Sequence, residues 1–409
     1  MTERVAMSEE TPLTFPLARP SALEAPPEWQ ELRERCPVAR VAMPSGDEAY
    51  LLTRYADVKQ VLSDPRFPRM GREEGATRIT DTESGGVFNN GPGQVLPQTG
   101  DGHQRWRRML SKWFTAKRMA ALRPEIETMA DRLIDQMMAS GQPADLKAAL
   151  GFPLPVWVIC TLLGVPDSDR DRFSYWSDAF LNLDRYTEDE TRAAQREFIG
   201  YLQEHVQRKR ADPGDDILGT MITDGEAAGT PIDDAVLVAT GQGLLVAGHE
   251  TTANMIGKMT AVLLADHSRW EQVCADPSLI RTTVEEVLRT DANLGFGMTR
   301  YITEDIELDN APITTGTTLI CDMAAANRDH RTFDDPETLD LTRSPNPHLT
   351  FGVGPHSCLG QMLARTELQV VLEVMVRRLP NLRLAVEPDE LRRIEGLIVG
   401  GLQEVPVEW

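Results

Sequence analysis

The chain has 409 residues, of which 41% are hydrophobic and 26% are charged. This balance is typical of a folded globular protein, and it excludes a largely disordered or fibrous chain. The 63 Asp and Glu outnumber the 42 Lys and Arg, which gives a formal net charge of -21. Because nucleic acids and anionic membranes bind positive surfaces, we expect neither as a partner.

The five cysteines are scattered and form no C-x-x-C pair. This spacing supports neither a disulfide framework nor a cysteine zinc site. Residues 1–12 contain no apolar stretch, so we expect no signal peptide. The longest apolar stretch, residues 152–165, is shorter than the ~20 residues that a membrane span needs. These features predict a cytoplasmic protein with reduced thiols.

The predicted elements begin with an irregular Pro- and Glu-rich leader over residues 1–28. Alternating apolar residues over 41–53, interrupted by the turn signal P-S-G-D, predict a β-hairpin, and a short helix follows. Residues 71–102 contain eight glycines and no sustained apolar periodicity. A loop of this length is usually a lid or binding loop, with a disordered insertion as the alternative.

From His103 onward the apolar spacing is helical. It predicts helices over 103–140, 154–164, 168–185, 187–210, 232–265 and 276–290. Short β-like runs over 301–321, a turn-rich segment over 327–350, a last helix over about 359–379 and a final hairpin complete the chain. The expected fold class is mainly α, a single domain over residues 29–409 with a long central helix and small β-sheets.

The strongest chemical signal is the segment FGVGPHSCLG at residues 351–360, placed just before a helix. Gly352 and Gly354 allow the backbone to turn tightly and to approach a neighbour closely. Cys358 lies at a helix N-terminus, where the helix dipole and N–H groups stabilise a thiolate. We expect this thiolate to be a metal ligand or a nucleophile. The other four cysteines are interpreted as small apolar residues.

This segment resembles the haem-binding loop of the cytochrome P450 family, and the resemblance extends over nearly the whole chain. It implies the cytochrome P450 fold, with the central helix over haem b, and Cys358 as the iron ligand. Thiolate ligation favours cleavage of the O–O bond. The resemblance further implies that Phe351 and Gly352 form the loop around that cysteine and that His356 faces a haem propionate.

A second signal is the segment AGHETT at residues 247–252, in the middle of the predicted central helix. Glycine and threonine lower helix propensity there, and a threonine hydroxyl can take a backbone carbonyl. The segment resembles the oxygen-activation segment of the family, in which Ala247 leaves room beside the iron. Glu250 and Thr251 then relay protons. The alternative is a kinked structural helix with a solvated Glu250, and His249 is interpreted as structural.

Several charged residues match other family positions. Glu286 and Arg289, three residues apart on one helix face, match the structural E-x-x-R pair. The family commonly adds a third polar partner, often Arg, and this sequence has Thr338 at that position. His103, Arg107 and Arg300 match residues that bind the haem propionates, since carboxylates need fixed cations.

Residues 103–124 contain seven Lys or Arg and no Asp or Glu. Such a cationic segment on an acidic chain can steer an acidic electron-transfer partner, here a ferredoxin. The alternative is a solvated helix face whose residues partly bind the propionates.

The resemblance implies a monooxygenase that inserts one oxygen atom from O2 by hydroxylation or epoxidation. Electrons come from NAD(P)H through a ferredoxin reductase and a ferredoxin. Leu244, Ala247, Leu294 and Ile398 are expected to line an apolar substrate pocket, which suits an apolar or amphipathic secondary metabolite such as a polyketide macrolide. Oxidative coupling or dehydrogenation of a cyclic dipeptide or aromatic product is the alternative within this class. A non-catalytic haem sensor or carrier and a cysteine hydrolase are the alternatives outside it.

Overall fold

A computed structural model describes residues 11–69, 75–79, 95–170, 172–292, 295–308 and 311–409. The chain divides into two compact units. The first, here called the sheet unit, comprises residues 1–83, 289–339 and 345–358, and the second, the helical unit, comprises residues 84–288, 340–344 and 359–409. Within the described ranges, no helix combines the length and the apolar character that a membrane span requires.

The helices of the described residues confirm a mainly α chain. They are α1 (Glu28–Arg35), α2 (Tyr55–Ser63), α3 (Gly100–Ser111), α4 (Ala116–Ser140), α5 (Pro153–Leu163), α6 (Arg172–Phe180), α7 (Glu188–Ala211), α8 (Ile217–Ala227), α9 (Asp234–Leu264), α10 (His267–Ala275), α11 (Ile280–Thr290), α12 (Met323–Ala326) and α13 (Gln361–Arg378). The 31-residue helix α9 is the predicted central helix, and the Asp233 side chain caps it by accepting from the backbone N–H of Ala235.

The prediction of one helix over 103–140 is wrong. Helix α3 ends at Ser111, and a new helix starts at Ala116 because Thr115 accepts a hydrogen bond from the backbone N–H of Arg118. A threonine in this position satisfies one of the free N–H groups of a helix start. Helices α8 and α10 were not predicted from the sequence.

The strands of the described residues are short. They are β1 (Leu13–Thr14), β2 (Val38–Ala42), β3 (Glu48–Leu52), β4 (Ala144–Asp145), β5 (Met298–Tyr301), β6 (Ile306–Leu308), β7 (Ala311–Ile313), β8 (Thr318–Cys321), β9 (Arg383–Leu384) and β10 (Pro406–Glu408). In the sheet unit, five strands form one sheet in the order β1-β2-β3-β8-β5, and β6 pairs with β7. Strands β2 and β3 form the predicted hairpin, which begins three residues earlier than the sequence pattern indicated.

Part of the predicted irregular leader belongs to this sheet. Strand β1 pairs in parallel with β2, so that Leu13 lies opposite Val41. Phe15 is buried, and its ring meets the edge of Phe296 at a centroid distance of 5.6 Å. The prediction of an irregular leader is therefore wrong at Leu13 and Thr14, where the chain covers an edge of the sheet.

The core of the sheet unit lies where α2 packs against the sheet. Val58, Val61 and Leu62 of α2 are buried with Leu52 and Leu319 of the adjacent strands β3 and β8. The spacing of three and four residues places the α2 side chains on one face, as the sequence pattern predicted. This packing fixes the end of α2, which the Cys358 loop contacts.

The C-terminal strands belong to the helical unit. Strand β10 lies between β4 and β9 and is antiparallel to both. The predicted final hairpin is thus a three-stranded sheet, since Ala144–Asp145 adds a strand that the sequence pattern did not reveal. The sheet brings Gly401 and Val405 close to α9, and Leu402 close to Lys147.

Candidate active site

The backbone of the Cys358 loop explains both glycines of its motif. Gly352 and Gly354 have φ values of 64° and 76°, in the left-handed region that favours glycine. A Cβ atom on Gly354 would lie 2.7 Å from the Cα atom of Ser63, so a side chain there would collide with the end of α2. The Cys358 N–H donates to the Phe351 carbonyl at 2.7 Å. This hydrogen bond joins the two ends of the loop, and Cys358 is exposed at its end.

Arg300 on β5 belongs to the same unit as this loop and is only 2% exposed. Its Nη1 donates to the carbonyl of Thr299 at 2.8 Å, while its Nε is buried without a hydrogen-bond partner in the part of the chain that the structure describes. Burial lowers the pKa of the Arg300 guanidinium. A buried cation with donors left over suits a carboxylate ligand. The sheet unit thus offers a buried cation that suits a carboxylate and an exposed thiol that suits a metal.

One face of α9 is open, whereas most of this helix is buried. Ala247 and Thr251 are exposed, and Leu244 and Gly248 are half-buried. These four residues are spaced by three and four, so they form a single stripe. The Thr251 hydroxyl donates to the Ala247 carbonyl at 2.9 Å, which confirms that a threonine hydroxyl takes a backbone carbonyl in this segment.

Gly248 has a packing role. A Cβ atom at this position would lie 2.8 Å from Cγ1 of Ile159, a residue of α5. Real Cβ contacts are not this short, so α5 and α9 approach each other closely only because residue 248 is glycine. The loss of helix propensity at Gly248 is thus explained by helix packing.

Glu250 is 4% exposed, so the alternative of a solvated Glu250 is wrong. Its Oε1 accepts from Nδ2 of Asn254 at 2.8 Å, and its Oε2 lies 3.8 Å from Nε2 of His249. Burial raises the pKa of the Glu250 carboxyl, because water no longer stabilises its charge. The structure therefore favours the neutral acid more than a surface position would.

The sequence pattern did not reveal two cations that act on Glu250, nor the carboxyl on which Glu250 acts. Lys147 and Arg185 lower the pKa of Glu250, whereas Glu250 raises the pKa of the Asp178 carboxyl. Lys147 donates to the Leu402 carbonyl at 2.8 Å, and Nη1 of Arg185 lies 3.3 Å from Oδ2 of Asp178. The sequence gives one indication of these charges, since Lys147 is a lysine shortly before the apolar stretch 152–165.

His103 and Arg107 of α3 lie one turn apart, as their spacing predicted. His103 is buried and Arg107 is half-buried. The His103 ring stacks on Trp106 at a centroid distance of 6.3 Å. Trp106 in turn donates from Nε1 to the hydroxyl of Thr240 at 3.0 Å. These contacts fix the face of α3 that carries the two residues against α9.

Glu286 obtains its cationic partner from a residue that the sequence analysis did not consider. The buried carboxylate accepts from the backbone N–H of Asp340 at 3.0 Å and from Nε of Arg343 at 3.1 Å. Arg343 thus supplies a cation that the family pattern of E-x-x-R and a third partner at position 338 did not indicate. Arg343 lies five residues after Thr338 in the turn-rich segment, and it gives Glu286 a positively charged partner.

Arg289 binds the turn-rich segment through its backbone. The guanidinium is 0% exposed and donates from Nη1 to the carbonyls of Asn327 and Pro336, both at 2.8 Å. Its Nη2 donates to the carbonyl of Thr338 at 3.1 Å. Thr338, which stands at the position of the third polar partner, thus contributes its backbone carbonyl. Arg289 holds together the segment that precedes the Cys358 loop.

The predicted pocket residue Ile398 lies in a turn that is hydrogen-bonded to residues 181–183 of the same unit. The backbone N–H of Ile398 donates to the Leu181 carbonyl at 3.0 Å, and that of Leu183 donates to the Gly396 carbonyl at 2.8 Å. The turn that carries Ile398 is therefore joined to the chain that follows α6. Leu294 and most of the 71–102 segment lie outside the described residues.

Comparison with known proteins gives consistent results. The family model "Cytochrome P450" matches residues 262–395. The mycinamicin IV hydroxylase/epoxidase of Micromonospora griseorubida is 39% identical over 407 residues, which cover 98% of this chain and 100% of that protein. The cytochrome P450 monooxygenase PikC of Streptomyces venezuelae is 34% identical, with 96% and 93% covered. A solved structure of a putative thioether synthase from griseoviridin tailoring superposes with a TM-score of 0.90 at 37% identity, covering 98% and 100%.

The chain therefore belongs to the cytochrome P450 family. It is a cytochrome P450 monooxygenase, which uses haem b and O2 and draws electrons from NAD(P)H through redox partners. The closed cysteine loop and the buried Arg300 guanidinium suit this cofactor, since haem brings an iron and two carboxylates.

Proposed function

We propose that this monooxygenase hydroxylates or epoxidises an apolar or amphipathic secondary metabolite of the polyketide macrolide type. The observation that carries this proposal is the stripe on α9, where aliphatic Leu244 and Ala247 adjoin the single hydroxyl of Thr251. An aliphatic surface with few polar groups suits a ligand of low polarity. The macrolide hydroxylase/epoxidase among the relatives supports this substrate class.

The proposed roles of the site residues follow the family motifs. We propose that Cys358 would hold the haem iron, in a loop shaped by Phe351 and Gly352, and that Ala247 would leave room for the haem. The propionates are assigned to His103, Arg107, Arg300 and His356. We further propose a cytoplasmic location and a cytochrome P450 domain over residues 29–409. When bound, haem supplies the oxidising chemistry, and the protein supplies position and protons.

We propose that protons pass through Glu250 and Thr251. The Thr251 hydroxyl lies on the exposed stripe of α9. Glu250, the preceding residue, is buried. Burial favours the neutral form of Glu250. This carboxyl can therefore hold a proton in a region without bulk water, and the hydroxyl can pass it on.

The Thr251→Val variant tests this path, because valine has the shape of threonine without the hydroxyl. We expect product formed per NAD(P)H to fall on the order of tenfold or more, while O2 consumption continues, since a positioned proton donor contributes about 10²–10⁴-fold to a rate. The measurement is product and NAD(P)H consumption in the same reaction. A non-catalytic haem sensor or carrier would show no such change.

A matched control for this experiment is Thr260→Val on the same helix. Thr260 makes the same kind of bond, from its hydroxyl to the Ile256 carbonyl at 2.9 Å, but it is fully buried. We expect Thr260→Val to keep the coupling of the unmodified enzyme. Equal losses in the two variants would mean that the effect of Thr251→Val comes from the helix and not from the open hydroxyl.

The alternative function is oxidative coupling or dehydrogenation, in which no oxygen atom enters the product. It is supported by the putative thioether synthase among the similar structures. Mass spectrometry of products formed under labelled dioxygen separates the two functions. We expect one labelled oxygen atom in the product. A product without the label would show coupling or dehydrogenation.

We propose that a ferredoxin docks on a cationic surface formed by Arg105, Arg108, Lys117 and Arg118. These residues are exposed in the structure. Two other cations of the segment are paired, Lys112 with Asp224 and Arg123 with Glu373. The four exposed cations form no ion pair among the described residues, so they concentrate positive charge, which raises the association rate of an acidic partner.

Charge reversal tests this surface. The double variant Arg105→Glu/Lys117→Glu should slow reduction by a ferredoxin by roughly 10-fold or more at low salt, since electrostatic steering changes association rates by about 10–10³-fold. Reduction by dithionite should be unchanged. Arg192→Glu/Arg196→Glu on α7 makes the same change of net charge and serves as the control. Equal slowing in both double variants would assign the effect to net charge alone.

A further inference from the structure

His249 has a fixed tautomer. Its Nδ1 lies 2.6 Å from the Leu245 carbonyl oxygen. A carbonyl oxygen can only accept, so Nδ1 carries a hydrogen atom. The ring is 0% exposed and meets the Phe152 ring edge-on at 5.5 Å. Burial lowers the pKa of His249 to about 4, so the ring is neutral at physiological pH and its Nε2 is an acceptor.

This acceptor faces the carboxyl group of Glu250. Nε2 of His249 is buried without a hydrogen-bond partner in the described ranges, and it lies 3.8 Å from Oε2 of Glu250. The other carboxyl oxygen, Oε1, already accepts from Asn254. An ionised Glu250 would place two acceptors face to face. A neutral Glu250 instead has one O–H, which Oε2 can donate to Nε2 once rotation of the carboxyl shortens the 3.8 Å separation to hydrogen-bond distance.

We propose that His249 is a positioning residue that holds Glu250 as a neutral acid, by accepting the carboxyl proton at Nε2. The proton remains on Glu250, so no charge moves. This inference rests on the proton path proposed above, because it explains how that path keeps a proton in store. It also gives a functional role to a residue that the sequence analysis interpreted as structural.

The charges around Glu250 explain why such a partner is needed. Lys147 and Arg185 favour the ionised carboxylate of Glu250, because each lowers the pKa of this group. The amide of Asn254 donates to the carboxyl and also favours the ionised form. Nε2 of His249, 3.8 Å from Oε2 of Glu250, offers an acceptor beside this carboxyl, so His249 acts together with burial against the two cations.

Infrared spectroscopy of the holoenzyme tests the hydrogen bond directly. The C=O stretching band of the neutral Glu250 carboxyl is identified as the band that disappears in Glu250→Gln. In His249→Asn, which can keep the donor to Leu245 but has no atom at the Nε2 position, we expect this band at higher frequency. It should also disappear at lower pH than in the unmodified enzyme, because the neutral acid has lost its acceptor. His249→Phe keeps the ring without either nitrogen and should give the same two shifts.

The control is His205→Asn. His205 is also buried, with Nε2 lying 3.0 Å from the Leu163 carbonyl and its ring stacked on Tyr201. We expect the Glu250 band to be unchanged in this variant. An unchanged band in both His249 variants would overturn the inference, as would the absence of a Glu250-dependent band at neutral pH in the unmodified enzyme.

A second measurement needs no variant of His249. The ¹⁵N chemical shifts of this histidine in the diamagnetic ferrous carbon monoxide complex report its tautomer. Protonated Nδ1 with unprotonated Nε2 is expected, and the opposite tautomer would overturn the inference. Full coupling in Glu250→Gln would refute the proton path alone, because the band shifts in the His249 variants would still establish the hydrogen bond.

Discussion

Replacing Arg289 by Met is expected to destabilise the protein by about 4 kcal/mol or more, since each hydrogen bond from a charged donor contributes roughly 1.5–3 kcal/mol and three are lost. The guanidinium is 0% exposed and donates to the carbonyls of Asn327, Pro336 and Thr338. Methionine has a similar length but no donor, so these bonds are lost together. The measurement is the free energy of unfolding from urea denaturation followed by circular dichroism.

Arg281→Met is the control for this prediction, because Arg281 lies on the same helix and is exposed. We expect its effect to stay within about 0.5 kcal/mol, as for most surface substitutions. Arg289→Lys should fall between the two, since lysine keeps the charge but has no planar fork of donors. A change below about 1 kcal/mol in Arg289→Met would contradict the structural role of this guanidinium.

Replacing Cys358 by Ala is expected to reduce product formation to the level of a reaction without enzyme. A methyl group cannot bind iron, so the variant loses the thiolate whose electron density favours O–O cleavage. Cys274→Ala makes the same chemical change on α10, where the thiol lies against the Pro380 carbonyl. We expect this control to retain turnover. Comparable turnover in the two variants would remove Cys358 from the proposed site.

The sequence predicted best those features that depend on neighbouring residues. The left-handed backbone at Gly352 and Gly354 and the bond from Thr251 to Ala247 follow from local geometry within a few residues. The extent of α9 was predicted closely because its apolar residues continue over many turns. In these places the local pattern and the three-dimensional structure agree.

The features that the sequence did not predict depend on residues distant in the chain. Arg343 contacts Glu286 across 57 residues, and Lys147 acts on Glu250 from a separate helical turn. Gly248 is explained only by Ile159 of the neighbouring helix. Neither periodicity nor spacing reveals such pairs, since they arise when the elements pack.

The absorption spectrum of the reduced protein under carbon monoxide tests the thiolate ligand most directly. We predict a strongly red-shifted Soret band, as given by a haem with a thiolate opposite the gas ligand. This band should persist in Cys274→Ala and vanish in Cys358→Ala. A Soret band without the shift in the unmodified protein, or one that survives in Cys358→Ala, would contradict Cys358 as the iron ligand.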